Sequence, residues 1–267
     1  MKTKIGVGRT AEVFDYDDGK VVKLFYENIS DEEVNLEYSN NKILESLHIP
    51  SAKCFGIITY NNRKGLIMEK LNGLSMMKAM EAKPMSSMSF AVPLAQTHYE
   101  LHKPIHVKLP GNKEQLFTKI ASAGMLSNST KNKLYSYINS LKDEAVLCHG
   151  DYHPENVFIA DDRLIVFDWS TATIGNRFSD VAHTNLLLRY GVSPDTKNAI
   201  AVFITNKVRN SYADKYLKEY IQLSKCSKND IYEWEIPVMA AMLNDFLSEK
   251  TALYFFKQIE RFVHKLS

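Results

Sequence analysis

The chain has 267 residues, enough for one large domain or two modest ones, and its 45% hydrophobic and 24% charged residues match ordinary globular composition. Lys+Arg 33 against Asp+Glu 31 leave a formal charge of +2, and the interspersed signs argue against a nucleic-acid binder, which needs a basic stripe or tail. The N-terminus turns polar too early for a signal peptide and no apolar run approaches the roughly 18 residues of a membrane span, so a cytoplasmic location without membrane attachment is expected.

In chain order, residues 11–16 alternate and lead through Asp17-Asp18-Gly19 into residues 20–26. That pattern predicts a β-hairpin, since Asp-Gly supplies the positive φ of a tight turn. Ser30 followed by Glu33 has the form of a capping box, and Val34, Tyr38, Asn41 and Leu44 continue at helical spacing, with Pro50 expected to end the helix. A second hairpin is predicted from residues 53–60, through a turn at 61–65, back through Leu66, Ile67 and Met68 to Glu69 and Leu71. Asn72-Gly73 then marks a break.

Beyond the break, residues 87–103, 113–123 and 127–141 read as helices, punctuated by Pro104, Pro110, Gly111 and Gly124. An island at 145–168 carries the apolar runs VLCH, NVFIA and LIVFD separated by turns, one of them at Asp161-Asp162. Helices are predicted again at about 180–190, 194–223, 228–247 and 251–264. Strands with a single helix first and helices afterwards predict an α+β fold of two lobes, residues 1–72 and 73–267. Cys54, Cys148 and Cys226 are odd in number and set beside apolar residues, which suits reduced core thiols.

The chemistry concentrates in VLCHGDYHPENVFIADDRLIVFDWSTATIGNRFSDVAHTN, residues 146–185. Asp151, Asn156 and Asp168 are of the types that hold magnesium and a nucleophile, and the strands expected after Asn156 return Asp168 alongside it. Phosphoryl transfer depends on positioning and charge neutralisation rather than on covalent work by the protein. A metal-free carboxylate such as Asp151 orients the incoming hydroxyl and takes its proton, while Asn156 and Asp168 offer oxygen ligands to the cation. Taken singly, Asp151 reads equally as a cap for the turn at Pro154 and Asn156 as a bond within its own loop; the set together favours catalysis.

The string HGDYHPEN followed by FDW resembles the signature of the aminoglycoside phosphotransferase and choline kinase family. The resemblance implies a two-lobed protein kinase-like fold, with Asp151 as catalytic aspartate, Asn156 and Asp168 as metal ligands, His149 supporting the loop and Asp180 bracing it from a helix start. It extends to the N-terminal part, where Gly6 and Gly8 resemble a shortened glycine-rich loop, Lys23 in VVKLF the lysine on the inner phosphates, and Glu37 the helix glutamate paired with it. Glu33 competes for that last role. LIMEKLNG resembles the family's hinge, with Met68 as gatekeeper and the carbonyl of Glu69 and N–H of Leu71 holding adenine. Arg9 and Thr10 occupy the variable tip of the phosphate loop, leaving ATP or GTP open. DW in place of DFG, with no long activation segment after it, argues against a regulated protein kinase.

The implied activity is a magnesium-dependent kinase that phosphorylates a hydroxyl of an aminoglycoside-like acceptor, with antibiotic resistance as one possible role. Choline, a sugar, homoserine or another antibiotic are alternative acceptors, and a non-catalytic nucleotide-binding module is the alternative of another class. His98 and His102, four apart on a helix, lack the HExxH glutamate and an evident third ligand for zinc. Tyr232, Glu233, Trp234, Glu235 and Asp245 read either as a pocket for a cationic acceptor or, preferably, as core aromatics with a solvated charged face.

Overall fold

The computed structural model describes residues 3–160, 163–191, 199–245 and 247–266, with the backbone alone at 199–204. The predicted turn at Asp161-Asp162 and the first residues of the helix predicted at 194–223 lie outside these. The first elements are β1 Lys4–Val7, β2 Ala11–Asp17, β3 Lys20–Phe25, α1 Asp31–Ser46, β4 Cys54–Tyr60, β5 Arg63–Glu69, β6 Gly73–Ser75 and α2 Met76–Ala82. Then come α3 Ala91–Leu101, α4 Asn112–Ser122, α5 Asn128–Ser140, β7 Val146–Cys148, β8 Val157–Ala160, β9 Arg163–Val166 and β10 Thr173–Gly175. The chain closes with α6 Arg177–Tyr190, α7 Ala199–Ser224, α8 Lys228–Met242 and α9 Glu249–Lys265. Two compact units result: Met1–Ala82 with Pro154–Thr171, and Lys83–His153 with Ala172–Ser267.

The first unit is built on an antiparallel sheet in the order β1-β2-β3-β5-β4. Its hairpin turn at Gly19 has φ 70, the conformation that Asp-Gly predicts. The turn between β4 and β5 is shorter than residues 61–65, because Asn61 and Asn62 both take positive φ, 48 and 60, and close it in two residues. Arg63 is thereby free to lie in β5, where its guanidinium donates to the Phe25 and Leu24 carbonyls and to Glu12. Ala11, Phe25, Val34, Ala52, Cys54, Leu66 and Met68 form the core between sheet and α1.

The Ser30–Glu33 capping box is formed, and α1 ends at Ser46, before Pro50 is reached. His48, at φ 54, donates its N–H to Glu45 O, and Ile49 N donates to Leu44 O. This is a Schellman stop with histidine where glycine is usual, hence invisible to a reading keyed on Gly and Pro. β6 pairs with β8, and β8 with β9, so residues 73–82 and the β8–β9 hairpin pack with the first unit. The expected boundary after residue 72 therefore does not separate the compact units. Gly73 fits that pairing because a Cβ there would lie 1.9 Å from the Ile159 carbonyl oxygen.

Among its described residues the second unit is helical, with one strand pair, β7 against β10. The helix predicted at 87–103 divides into a 3-10 turn, Pro84–Phe90, and α3. Pro93 lacks an N–H, so it is tolerated only in a first helical turn, and α3 starts two residues before it. Ser127, Asn176, Ser227 and Ser248 each accept a backbone N–H at a helix start. Leu116 and Ile120 of α4, Leu134 and Ile138 of α5, Trp234 and Val238 of α8, and Phe255 and Ile259 of α9 are buried. Cys54 and Cys148 are buried free thiols as expected, whereas Cys226 is only half-buried. Among the described residues no helix is long and apolar enough to cross a membrane.

Candidate functional site

In the first unit, Lys23 of β3 reaches two carboxylates: its Nζ lies 2.7 Å from Glu37 Oε1 and 3.1 Å from Asp168 Oδ1. The competing Glu33 is committed elsewhere, its carboxylate accepting from Ser30 N and Oγ. Burial would lower the Lys23 pKa, but the fields of Glu37 and Asp168 prevail and raise it, so the side chain stays an ammonium. Burial, reinforced by Asp168, raises Glu37 against the pull of Lys23. One cation against two carboxylates leaves this cluster an excess negative charge.

Asp168 is held at φ 63, an uncommon conformation for a residue with a Cβ, between the end of β9 and the 3-10 turn Trp169–Thr171. Two contacts fix it: Phe167 N donates to Asn156 O at 3.1 Å, and Asn40 Nδ2 donates to Trp169 O at 2.9 Å. Trp169 is fully buried and donates its Nε1 to Val166 O. Sequence reasoning missed Asn40; the signal was a polar residue three positions after Glu37 on the buried face of α1.

The expected phosphate loop is the turn between β1 and β2, closed by Gly8 N donating to Ala11 O at 2.8 Å. A Cβ on Gly6 or Gly8 would meet nothing closer than 3.4 Å, so the turn itself does not require glycine there. Met68 is buried in the sheet core. Glu69 ends β5 with its N–H on Lys53 O, and Leu71 packs half-buried against the same core.

In the second unit, Gly150 has φ 78 and turns the backbone so that its N–H and that of His149 both face Asp180. Gly150 N lies 2.8 Å from Oδ1 and His149 N 2.6 Å from Oδ2. His149 Nδ1 in turn accepts the Asp151 N–H at 3.2 Å. Partial burial would raise the Asp151 carboxyl, but His153, whose Nε2 is 3.5 Å from Oδ2, with His183 and His149, holds it well below the usual carboxylate range.

His98 and His102 do acquire a third neighbour of ligand type, which sequence alone did not supply: their Nε2 atoms lie 3.1 and 3.3 Å from Asp180 Oδ2. Beside this network a small cleft of about 30 Å³ is lined by Asn112, Lys119, Gly150 and His183, with Val238 and Met242 as its apolar wall. Among the described residues, Asn112 Oδ1 and His183 Nδ1 are the buried side-chain polar atoms without a hydrogen-bond partner, and both residues line this cleft. Such atoms cost roughly 1–3 kcal/mol each unless something hydrogen-bonds to them.

The aromatic and acidic residues of α8 disperse. Trp234 is buried, Tyr232 is exposed under Lys228, and Glu235 accepts from Asn185 in a second cleft that also holds Arg189, Asp214, Tyr190 and Tyr254. Asp245 lies 3.7 Å from Lys119.

Residues 125–213 match the sequence model of the Phosphotransferase enzyme family. No curated protein matches the chain at a significant level. Among solved structures, a thermostable mutant of aminoglycoside phosphotransferase APH(4)-Ia is similar with TM-score 0.64 and 13% identity, over 99% of this chain and 94% of that one. Amicoumacin kinase hAmiN, in complex with AMP-PNP, Ca2+ and Ami, gives 0.61 and 15% over 99% and 91%. Choline kinase from Cryptosporidium parvum Iowa II gives 0.58 and 12% over 99% and 89%. At these identities the likeness establishes the fold, which is protein kinase-like as the motif implied, and with the family model it bears out the resemblance to this group of phosphotransferases.

Proposed function

We propose that the chain, a phosphotransferase by the family model it matches, moves the γ-phosphate of ATP or GTP to a hydroxyl of a small acceptor, with magnesium as the divalent ion. The reading rests above all on the cluster of Lys23, Glu37 and Asp168, where a buried ammonium is held between two carboxylates. A mere surface ion pair would not demand a lysine drawn into burial with a left-handed aspartate beside it. The Asn156 amide and Asp168 carboxylate offer hard oxygen donors, and the excess negative charge around Lys23 suits a small divalent cation.

In this reading Lys23 binds the inner phosphates and Glu37 fixes its direction. Gly6 and Gly8 let backbone approach the phosphates, while Met68, the Glu69 carbonyl and the Leu71 N–H receive the base. Asn156 and Asp168 would hold magnesium, which when bound neutralises charge on the phosphate oxygens. Asp151 stays a carboxylate, orients the acceptor hydroxyl and takes its proton as the new P–O bond forms. His149 and Asp180 keep the Asp151 loop in shape. Residues 1–72 serve as the nucleotide lobe and 73–267 as the catalytic and acceptor lobe, a division by role that differs from the division into compact units, with the protein working in the cytoplasm.

The family resemblance ranks an aminoglycoside-like acceptor first. A second reading, a less basic metabolite such as a sugar or homoserine, is favoured by the cleft beside Gly150. It contains Lys119, and Asp180, the carboxylate among its described lining residues, is already engaged by four N–H groups. Transfer from γ-labelled ATP, screened over aminoglycosides, choline, sugars and homoserine with magnesium present, tests both. Label on any of these is the expected result and its identity selects the acceptor class. Nucleotide binding without label on any acceptor would instead support a non-catalytic module.

A further inference from the structure

Four nitrogens lie at hydrogen-bond distance from the Asp180 carboxylate, and they come from two elements. His149 N and Gly150 N belong to the loop that carries Asp151, while His98 and His102 project from α3. Behind the histidines stand two tyrosines of α7: Tyr216 Oη lies 2.6 Å from His98 Nδ1 and Tyr220 Oη 2.6 Å from His102 Nδ1. All five residues with their side chains in this chain of contacts are buried.

The proton arrangement follows from elementary accounting. An ionised carboxylate only accepts, so each imidazole must present N–H at Nε2. A neutral imidazole then has a bare Nδ1, to which only the tyrosine O–H can donate. Burial, followed by the neighbouring His102, pulls the His98 pKa down to about 4 against the raising effect of Asp180, in keeping with a neutral ring. Every donor in the network thereby meets an acceptor, and the anion at its centre is neutralised by four N–H groups without a buried cation.

A metal ion is the competing occupant, since the ligand atoms of His98, His102 and Asp180 lie within 4.8 Å of one another. Two features oppose it. Both Nε2 atoms already sit at hydrogen-bond distance from Oδ2, and that same oxygen takes the His149 N–H at 2.6 Å. A cation there would draw the carboxylate off the loop it braces. α3 also grips the loop a second time: the Tyr152 ring stacks on His98 at 4.0 Å between centroids, and its hydroxyl donates to Leu94 O at 2.9 Å. Tyr152 is the residue next to Asp151, so the proposed catalytic carboxylate is flanked in sequence by one position tied to α3 and another, Gly150, tied to Asp180.

We infer that His98, His102, Tyr216 and Tyr220 are positioning residues for phosphoryl transfer, acting on Asp151 through Asp180, with both histidines carrying their proton on Nε2. The role in transfer rests on the kinase reading above; the proton placement does not. The first experiment is therefore independent of activity. In protein labelled with 15N-histidine, two imidazoles should show the Nε2–H tautomer at about pH 8, and the His98 ring should keep it down to about pH 6, through the range where an ordinary histidine titrates. Tyr216→Phe should perturb one of them and Tyr220→Phe the other. An Nδ1–H tautomer at either ring, or one zinc per chain in the purified protein, overturns the inference whatever the enzyme does.

The second experiment follows turnover, using magnesium ATP and water as the default acceptor, or the acceptor once identified. Each Tyr→Phe variant should lower kcat roughly 10-fold with KM for ATP changed less than about 2-fold, as expected when a catalytic group is displaced while nucleotide contacts remain. His102→Gln, which keeps a donor near the Nε2 position, should retain more kcat than His102→Leu. Equal loss in both, or unchanged kcat in the tyrosine variants, refutes the positioning role. Wild-type protein that transfers phosphate to no acceptor, water included, refutes the kinase reading and this role with it, while the tautomers still decide the network.

Discussion

Asp151 owes its proposed role to what surrounds it, not to its residue type. Its N–H is tied to His149 and its carboxylate faces His153, an environment that holds the group ionised far below neutral pH. An acid limb near neutrality in the rate profile would accordingly belong to another group. Asp151→Asn keeps the shape and removes the base, so turnover should fall by roughly 10²–10⁴-fold while nucleotide affinity, measured by titration calorimetry, changes little. Full activity in this variant would remove Asp151 from its role. The types and spacing of Asp151, Asn156 and Asp168 were legible in the sequence because short loops fix them. The left-handed backbone of Asp168 and the unpartnered Asn112 and His183 atoms were not, since they arise from contacts between segments far apart in the chain.

At the scale of elements, α1 acts as a ruler. Glu37 and Asn40, three residues apart and both buried, measure off the distance between Lys23 and the Trp169 carbonyl. Replacing Asn40 by Leu removes its hydrogen bond to that carbonyl and loosens the turn holding Asp168. A loss of about 1–3 kcal/mol in unfolding free energy is expected, with a KM for ATP raised several-fold; denaturant melts and initial rates measure the two. An unchanged KM would show that α1 positions Glu37 alone. The start of α1 was readable from Ser30 and Glu33 because a capping box is local chemistry. Its end was not, because His48 takes a conformation usually left to glycine. β6 was missed for a related reason: three residues carry too little pattern, and Gly73 announces only that a break is near.

For the whole molecule, the sequence carried the kinase-like fold through the order of its motifs, whereas the partition into compact units depended on the β6–β8 pairing, which no local signal revealed. The buried histidines also make the stability of the entire chain a function of pH. His98 is fully buried, and its pKa of about 4 lies below the ordinary value of 6.5. The unfolded chain therefore takes up a proton first as pH falls, so this contribution is complete above about pH 6.5 and is lost between there and about pH 4. Its full size is about 3 kcal/mol, of which about 2 kcal/mol should be gone by pH 5. Asp180 works in the same sense but titrates lower, its stabilisation persisting above the usual carboxylate range and failing only as pH drops through its depressed value. His183 is shifted downward by burial as well, but its effect is common to the wild type and to any His98 variant. In urea melts at pH 7 and pH 5, His98→Gln should consequently lose about 2 kcal/mol less than the wild type over this interval. Parallel losses in the two proteins would mean that His98 already carries a proton in the fold, and that Asp180 is neutralised by a buried imidazolium instead of by dipoles alone.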